Sequence, residues 1–165
     1  MNWLSDFIRP RIRSFVEPKE VPDNLWQKCD SCEGMLFHRD LKDNMNVCYH
    51  CGHHLRITVK DRLAILFDGG QYEKIDIPDV ALDPLKFRDQ KKYVDRLKDT
   101  QAKTGLKDAI TLAKGTIGGN KVVIAAFNFR FMGGSMGMAV GEGIVRAAEE
   151  AVKTKSAFIV IPSSG

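Results

Sequence analysis

The sequence predicts an α/β (α+β) chain in which a small metal-stapled module precedes a larger mixed domain. Three observations predict it. All four cysteines fall in two Cys-x-x-Cys pairs inside residues 25–55. A Gly118-Gly119-Asn120 turn separates two strand-like runs. A glycine-rich turn over 131–137 then leads from an apolar strand into an amphipathic helix.

Composition narrows the class. At 165 residues, 44% hydrophobic and 28% charged, the chain can build a core, so disorder throughout is excluded. No apolar run approaches the roughly 20 residues that span a bilayer, and no membrane partner is expected. The N-terminus lacks the apolar stretch of a secretory signal, so a reducing cytoplasm is expected. There, clustered cysteines argue for metal or redox chemistry. The 25 Lys+Arg against 21 Asp+Glu leave a net +4, spread along the chain. Four thiolates and one zinc ion lower that to about +2. Charge alone therefore argues only weakly for nucleic acid.

Three parts follow in order. Residues 1–24 hold Pro10, Pro18 and Pro22 and read as a leader and linker. Trp3, Leu4, Phe7 and Ile8 share a face of a short helix ending before Pro10, either a docking segment or a helix packed on its own core. Residues 25–55 form the ribbon. Residues 56–165 form the α/β part. In it, Leu63, Leu66 and Phe67 predict a helix over 60–68 that stops at Gly69-Gly70. Residues 78–84 read as loop. Phe87, Tyr93, Val94 and Leu97 stripe a charged surface helix over 86–103. Strands are predicted over 109–115 and 121–129, the second apolar on both faces. A helix over 140–153 presents Ile144, Val145, Ala148 and Val152, and a buried strand covers 157–161. A strand with no helix after it suggests a βαβ layer left half built.

The cysteine spacing is specific. Cys29-x-x-Cys32 and Cys48-x-x-Cys51 are 15 residues apart. Each pair turns two sulfurs toward one ion, and the intervening chain suits a small hairpin. Four thiolates close a tetrahedral shell at about 2.3 Å, with no open position for water, so structural Zn2+ is expected. It would supply folding energy that so small a core lacks. His50, His53 and His54 are left beside the shell or at the surface. Lys28, Arg39, Lys42, Arg56 and Lys60 alternate with Asp30, Glu33, Asp40 and Asp43, which reads as a mixed solvated surface.

Gly133-Gly134-Ser135 lies between strand and helix, where backbone N–H groups can hold an anion or oxyanion. The segment matches neither the dinucleotide glycine fingerprint nor the P-loop. A tight turn without ligand is the plainer alternative.

Four motifs occur in a fixed order: Trp26-x-Lys28-Cys29-x-Ser31-Cys32; Asn46-Val47-Cys48-x-x-Cys51-x-His53-His54-x-Arg56; Lys86-Phe87-Arg88-Asp89-x-Lys91-Lys92-Tyr93-x-Asp95-Arg96-Leu97; and Phe131-Met132-Gly133-Gly134-Ser135-Met136-Gly137. Together they resemble the β subunit of the bacterial acetyl-CoA carboxylase carboxyltransferase, along essentially the whole chain.

The resemblance implies a zinc ribbon on an incomplete crotonase-like domain of ββα units. It implies transfer of a carboxyl group from carboxybiotin, held on a separate carrier protein, to acetyl-CoA, forming malonyl-CoA for fatty-acid synthesis. The implied partners are a carboxyltransferase α subunit in an α2β2 complex, the biotin carboxyl carrier protein and biotin carboxylase. Nucleotide and ATP binding come with the same resemblance. Deprotonating the acetyl methyl group gives a thioester enolate, whose oxygen needs fixed N–H donors. On this pattern Gly133, Gly134 and Ser135 line the substrate channel, and Gly165 begins the catalytic oxyanion loop. Lys and Arg side chains over 86–96 either meet CoA phosphates or form a solvated face. The family pattern continues after Ser164-Gly165 with Gly-Ala-Arg, and Ile161-Pro162-Ser163 departs from its usual approach. The isolated 165-residue chain is therefore expected to be inactive. The alternative is a zinc-ribbon module that binds RNA or DNA.

Overall fold

The computed structural model describes residues 25–163. The 1–24 leader and its apolar face lie outside the described residues, as does Gly165. The chain divides into two units between Leu55 and Arg56.

In the first unit, β1 (Trp26–Lys28) and β2 (Met35–Phe37) pair antiparallel, Trp26 opposite Phe37 and Lys28 opposite Met35. A six-residue helix, α1 (His38–Asp43), follows directly. Among the described residues the buried core of this unit is Leu36, Leu41, Cys29 and Cys48, with Leu55 against them. Two aliphatic side chains bury too little apolar surface to order this much chain.

The second unit opens with α2 (Val59–Leu66), where the Thr58 hydroxyl accepts the Asp61 N–H at 3.1 Å as N-cap. The sheet comprises β3 (Tyr72–Ile75), β4 (Ile110–Ile117), β5 (Asn120–Phe127) and β6 (Ala157–Ile161), in that spatial order. The first two pairings are antiparallel and β5–β6 is parallel. A parallel neighbour requires a crossover, supplied by α4 (Met138–Thr154). This ββα order agrees with the predicted class. Helix α3 (Tyr93–Thr104) precedes β4 and ends at Gly105, whose φ of 66° gives a left-handed cap.

Strand β5 is buried on both faces. Val123, Ala125 and Phe127 join Ile110, Leu112, Val140 and Ala147 in one core cluster. Val122, Ile124 and Ala126 join Leu63 and Phe67 in the other. That two-sided burial accounts for its unbroken apolar run.

Three expectations need correction. The helix predicted over 86–103 begins only at Tyr93. Before it, the Asp83 carboxylate accepts the Phe87 N–H and the Asp89 carboxylate accepts the Lys91 N–H, each at 3.0 Å. Asp89 also receives both bonds of an Arg96 guanidinium nitrogen at 2.5 and 2.6 Å. Short acidic side chains that capture backbone N–H groups compete with the helix.

The buried face of α4 is also different. Val140, Gly143, Ala147 and Ala151 face the core, with Ile144 and Ala148 half-buried, while Val145 and Val152 are exposed. A Cβ at Gly143 would stand 3.2 Å from Ile110 Cγ2, so small residues let this helix sit close on the sheet. Finally, β6 is the sheet edge, and Phe158, Ile159 and Val160 are about 40% exposed rather than buried.

The β4–β5 turn has φ of 57° at Gly118 and 76° at Gly119, as a two-residue hairpin of the primed type requires. Asp68 clamps it from outside the hairpin. Its two oxygens accept the Gly118 and Gly119 N–H groups at 2.8 and 2.9 Å. The Gly119 and Gly118 N–H groups, then the Thr116 hydroxyl, hold the Asp68 carboxyl below its ordinary 3.8. A depressed carboxyl stabilises the fold above its unfolded pKa, and the effect is lost as pH falls through the folded value. We expect Asp68→Ala to lower the thermal midpoint by a constant amount from about pH 5 to 7, with the difference shrinking toward zero below about pH 3. Thermal denaturation of both proteins across that range checks it.

Candidate metal centre and glycine-loop site

The two Cys-x-x-Cys turns are built alike. At the first, the Cys29 N–H donates to the Gly34 carbonyl and the Glu33 N–H returns to the Cys29 carbonyl. At the second, the Cys48 N–H donates to the His53 carbonyl and the Gly52 N–H returns to the Cys48 carbonyl. The fourth residue after each leading cysteine is left-handed, Glu33 at 60° and Gly52 at 73°. Each turn thus folds its two sulfurs to one side.

The result is a single cluster in which the Sγ atoms of Cys29, Cys32, Cys48 and Cys51 lie within 4.8 Å of one another. Cys29 and Cys51 are 3.8 Å apart, Cys32 and Cys48 3.7 Å. A tetrahedron with arms of about 2.3 Å has edges of about 3.8 Å, so the donor set fits zinc without rearrangement. The electrostatics agree. N–H groups of Cys32 and Ser31 pull the Cys29 thiol down to about 6. At Cys32 the Gly34 N–H lowers the pKa, but Cys51, burial and the other two thiols outweigh it and push it up to about 12. Four thiolates this close repel unless a cation lies among them. No histidine enters the cluster among the described residues. His50 instead faces the Met35 carbonyl at 3.3 Å and packs against Tyr49, while His53 and His54 are exposed. The predicted mixed surface is present too, with Lys28 paired to Glu33 at 3.0 Å.

The glycine loop grows from the end of β5. There Asn128 is 5% exposed. Its N–H donates to the Ala109 carbonyl at 2.7 Å and its Nδ2 to the Thr111 hydroxyl at 2.9 Å. Its carbonyl accepts the Phe131 N–H at 2.9 Å, and the Phe131 carbonyl accepts the Gly134 N–H. A relay of bonds therefore ties the loop to the sheet, with the buried Phe131 ring as its anchor. Sequence reasoning missed Asn128; the only signal was a polar residue ending an apolar strand.

Met132, Gly133 and Gly134 follow in left-handed conformation, with φ of 49°, 68° and 75°. Such a run is strained at methionine, and strain of this kind gathers at functional loops. One expectation changes here. The Gly134 and Ser135 N–H groups are used inside the turn, bonding to Phe131 and Met132. The first bond of α4 runs from Gly141 to Gly137, so the N–H groups of Met138, Ala139 and Val140 precede the helical ladder. Ser135 is exposed, as are Met136 and Met138.

Beside the start of α4 lies a cavity of about 340 Å3, lined among others by Ile77, Leu82, Leu85, Phe87, Tyr93 and Met138. Burial raises the pKa of the Tyr93 phenol, and Asp108 and Asp83 add to the shift. Burial also raises Asp108.

The carboxyl transferase domain family matches residues 70–165, and the acetyl-CoA carboxylase zinc finger domain matches residues 26–51. The chain belongs to the carboxyl transferase domain family. Curated relatives carry the name acetyl-coenzyme A carboxylase carboxyl transferase subunit beta. This chain is 53% identical along its whole length to the one from Granulibacter bethesdensis, 50% to that of Jannaschia sp. and 48% to that of Brucella abortus. It spans 52–55% of their lengths, about half. Among solved structures, a transcarboxylase 12S hexamer with methylmalonyl-coenzyme A and methylmalonic acid bound is 25% identical over 67% of this chain and 19% of its own, with a TM-score of 0.48. In this carboxyl transferase chain the four clustered cysteines are the ligand set of the zinc ribbon. ATP binding finds no support in the matched families. Among the described residues no helix is long and apolar enough to cross a membrane.

Small zinc modules draw about 10–16 kcal/mol from the metal. We therefore expect a strong chelator to unfold the ribbon, and Cys48→Ser to reduce zinc content well below one ion per chain. Metal analysis with circular dichroism before and after chelation checks both.

Proposed function

We propose that this protein is the β subunit of an acetyl-CoA carboxylase carboxyltransferase. It transfers a carboxyl group from carboxybiotin to acetyl-CoA and forms malonyl-CoA for fatty-acid synthesis. The observation that carries the reading is the 53% identity, over all 165 residues, to a curated subunit of that name. The reading also places the protein in the cytoplasm.

In this reading the ribbon zinc is structural, held by Cys29, Cys32, Cys48 and Cys51. Gly133, Gly134 and Ser135 shape the acyl-CoA channel, and Gly165 begins the loop that holds the thioester oxygen. Removing a methyl proton from acetyl-CoA places charge on that oxygen. Fixed N–H donors about 2.7–3.1 Å away stabilise it without reorganisation. The first-turn N–H groups of α4 and the partial positive charge of that helix end suit such a role. The carboxyl group arrives as a substrate on the biotin carboxyl carrier protein. An α subunit completes the biotin side in an α2β2 complex, and biotin carboxylase recharges the carrier.

A second reading has one observation in its favour. On the ribbon, Trp26 is 55% exposed and packs 5.2 Å from Phe37, whose ring lies 5.6 Å from the Arg39 guanidinium. An exposed aromatic beside a cation suits stacking on single-stranded nucleic acid. Salt-sensitive RNA binding, set against saturable acetyl-CoA binding, separates the two readings.

The decisive assay pairs the full-length subunit with its α partner and carboxylated carrier protein. We expect malonyl-CoA to form only when acetyl-CoA and both subunits are present. An assembled, zinc-loaded complex that makes none sinks the reading.

A further inference from the structure

Arg130 stands exposed at the mouth of the glycine loop, and nothing in the motif pattern assigns it a role. The Arg56 guanidinium carbon lies 4.8 Å from the centre of the Phe129 ring. Arg130 is the next residue after Phe129 and is exposed. The fold thus brings together positions more than seventy residues apart in sequence.

The setting is rigid. The Phe131 N–H to Asn128 carbonyl bond closes a four-residue turn with Phe129 and Arg130 at its tip. Both flanks are buried, Asn128 at 5% and Phe131 at 2% exposure. An arginine on a fixed turn loses less freedom on binding than one on a mobile loop.

The sequence around Arg130 also lacks an acidic residue. Residues 122–141 contain no Asp or Glu. Among the described residues no ion pair involves Arg130. By contrast, two cations in the competing 86–96 segment are already committed, Arg96 to Asp89 and Lys91 to Asp99. The loop past Arg130 then exposes two methionines, Met136 at 72% and Met138 at 52%. Methionine is an adaptable apolar contact for an irregular ligand. An exposed arginine on a fixed turn, followed by apolar side chains and helix-end N–H groups, matches a ligand that runs from phosphate through a flexible arm to a carbonyl.

We propose that Arg130 holds a phosphate of the acyl-CoA at the glycine loop. The proposal rests on the acyl-CoA reading above. Planar guanidinium recognition of phosphate oxygens is bidentate, which suits Arg better than Lys.

The test uses the full-length subunit in complex with its α partner. Carboxyl transfer to acetyl-CoA is compared with transfer to acetyl-pantetheine, which carries the thioester arm without phosphates. For Arg130→Ala, KM for acetyl-CoA should rise about tenfold, as loss of one charge-assisted contact implies. Its kcat and its kcat/KM for acetyl-pantetheine should stay those of the parent. Arg130→Lys should recover part of the loss.

An unchanged KM for acetyl-CoA overturns the proposal. So does an equal loss on both substrates, which would make Arg130 a support of the loop rather than a phosphate ligand. A tenfold rise in the Lys86→Ala, Arg88→Ala, Lys92→Ala triple variant, with none in Arg130→Ala, overturns it in favour of the α3 approach segment. If the parent complex does not use acetyl-CoA, the underlying reading fails first, and that outcome is distinct from the others.

Discussion

Burial of β5 on both faces is the constraint on which the second unit depends. Six consecutive residues, Val122 to Phe127, are buried, alternating between two core clusters. Such a strand cannot stand at an edge, because its backbone groups need partners on both sides. β4 and β6 supply them. The strand must then end where the core ends, and Asn128 marks that point. Its three bonds replace the ladder at the strand end and start the turn that carries the glycine loop. The loop is therefore placed by the least movable strand in the sheet. That is a sound support for groups that must hold a fixed geometry.

Polar contacts secure elements that apolar packing leaves underdetermined. Helix α4 meets the sheet through glycine and alanine, which permit close approach but specify register weakly. Glu150, 6% exposed on that helix, bonds Lys114 on β4 at 3.0 Å, and Lys114 also reaches Glu73 on β3 at 3.4 Å. Lys114 holds the Glu150 carboxyl below its ordinary value. A partly buried pair of this kind costs desolvation, and it ties helix to sheet at one register. In the first unit metal ligation has the corresponding role. Among the described residues two aliphatic side chains and two cysteines are buried there, so the module depends on four sulfurs suited to hold one ion.

The parts legible in sequence were those set by local chemistry. The cysteine spacing led to the four sulfurs that the structure clusters because each Cys-x-x-Cys turn is stabilised within six residues. The Gly-Gly hairpin was legible because only glycine adopts two successive positive φ values cheaply. Helix α2 was legible from its apolar spacing and its glycine stop. The start of α3 was not, since Asp83 and Asp89 divert backbone N–H groups through side-chain bonds that periodicity does not register. The buried face of α4 was misjudged because the largest apolar residues were assigned to the core. The close approach of Ile110 instead selects the smallest.

By itself the sequence determined the element types, the four-thiol ligand set, the hairpin and the glycine-rich strand-to-helix turn. Each follows from bonds or conformational preferences a few residues long. Only the tertiary structure decided which N–H groups of the loop are consumed by its own turn. It also decided that Asp68 closes a hairpin fifty residues away, and that Arg56 meets Phe129 beside Arg130. These depend on distances between segments far apart in the chain. Such distances arise when the core closes around β5, and no local pattern encodes them.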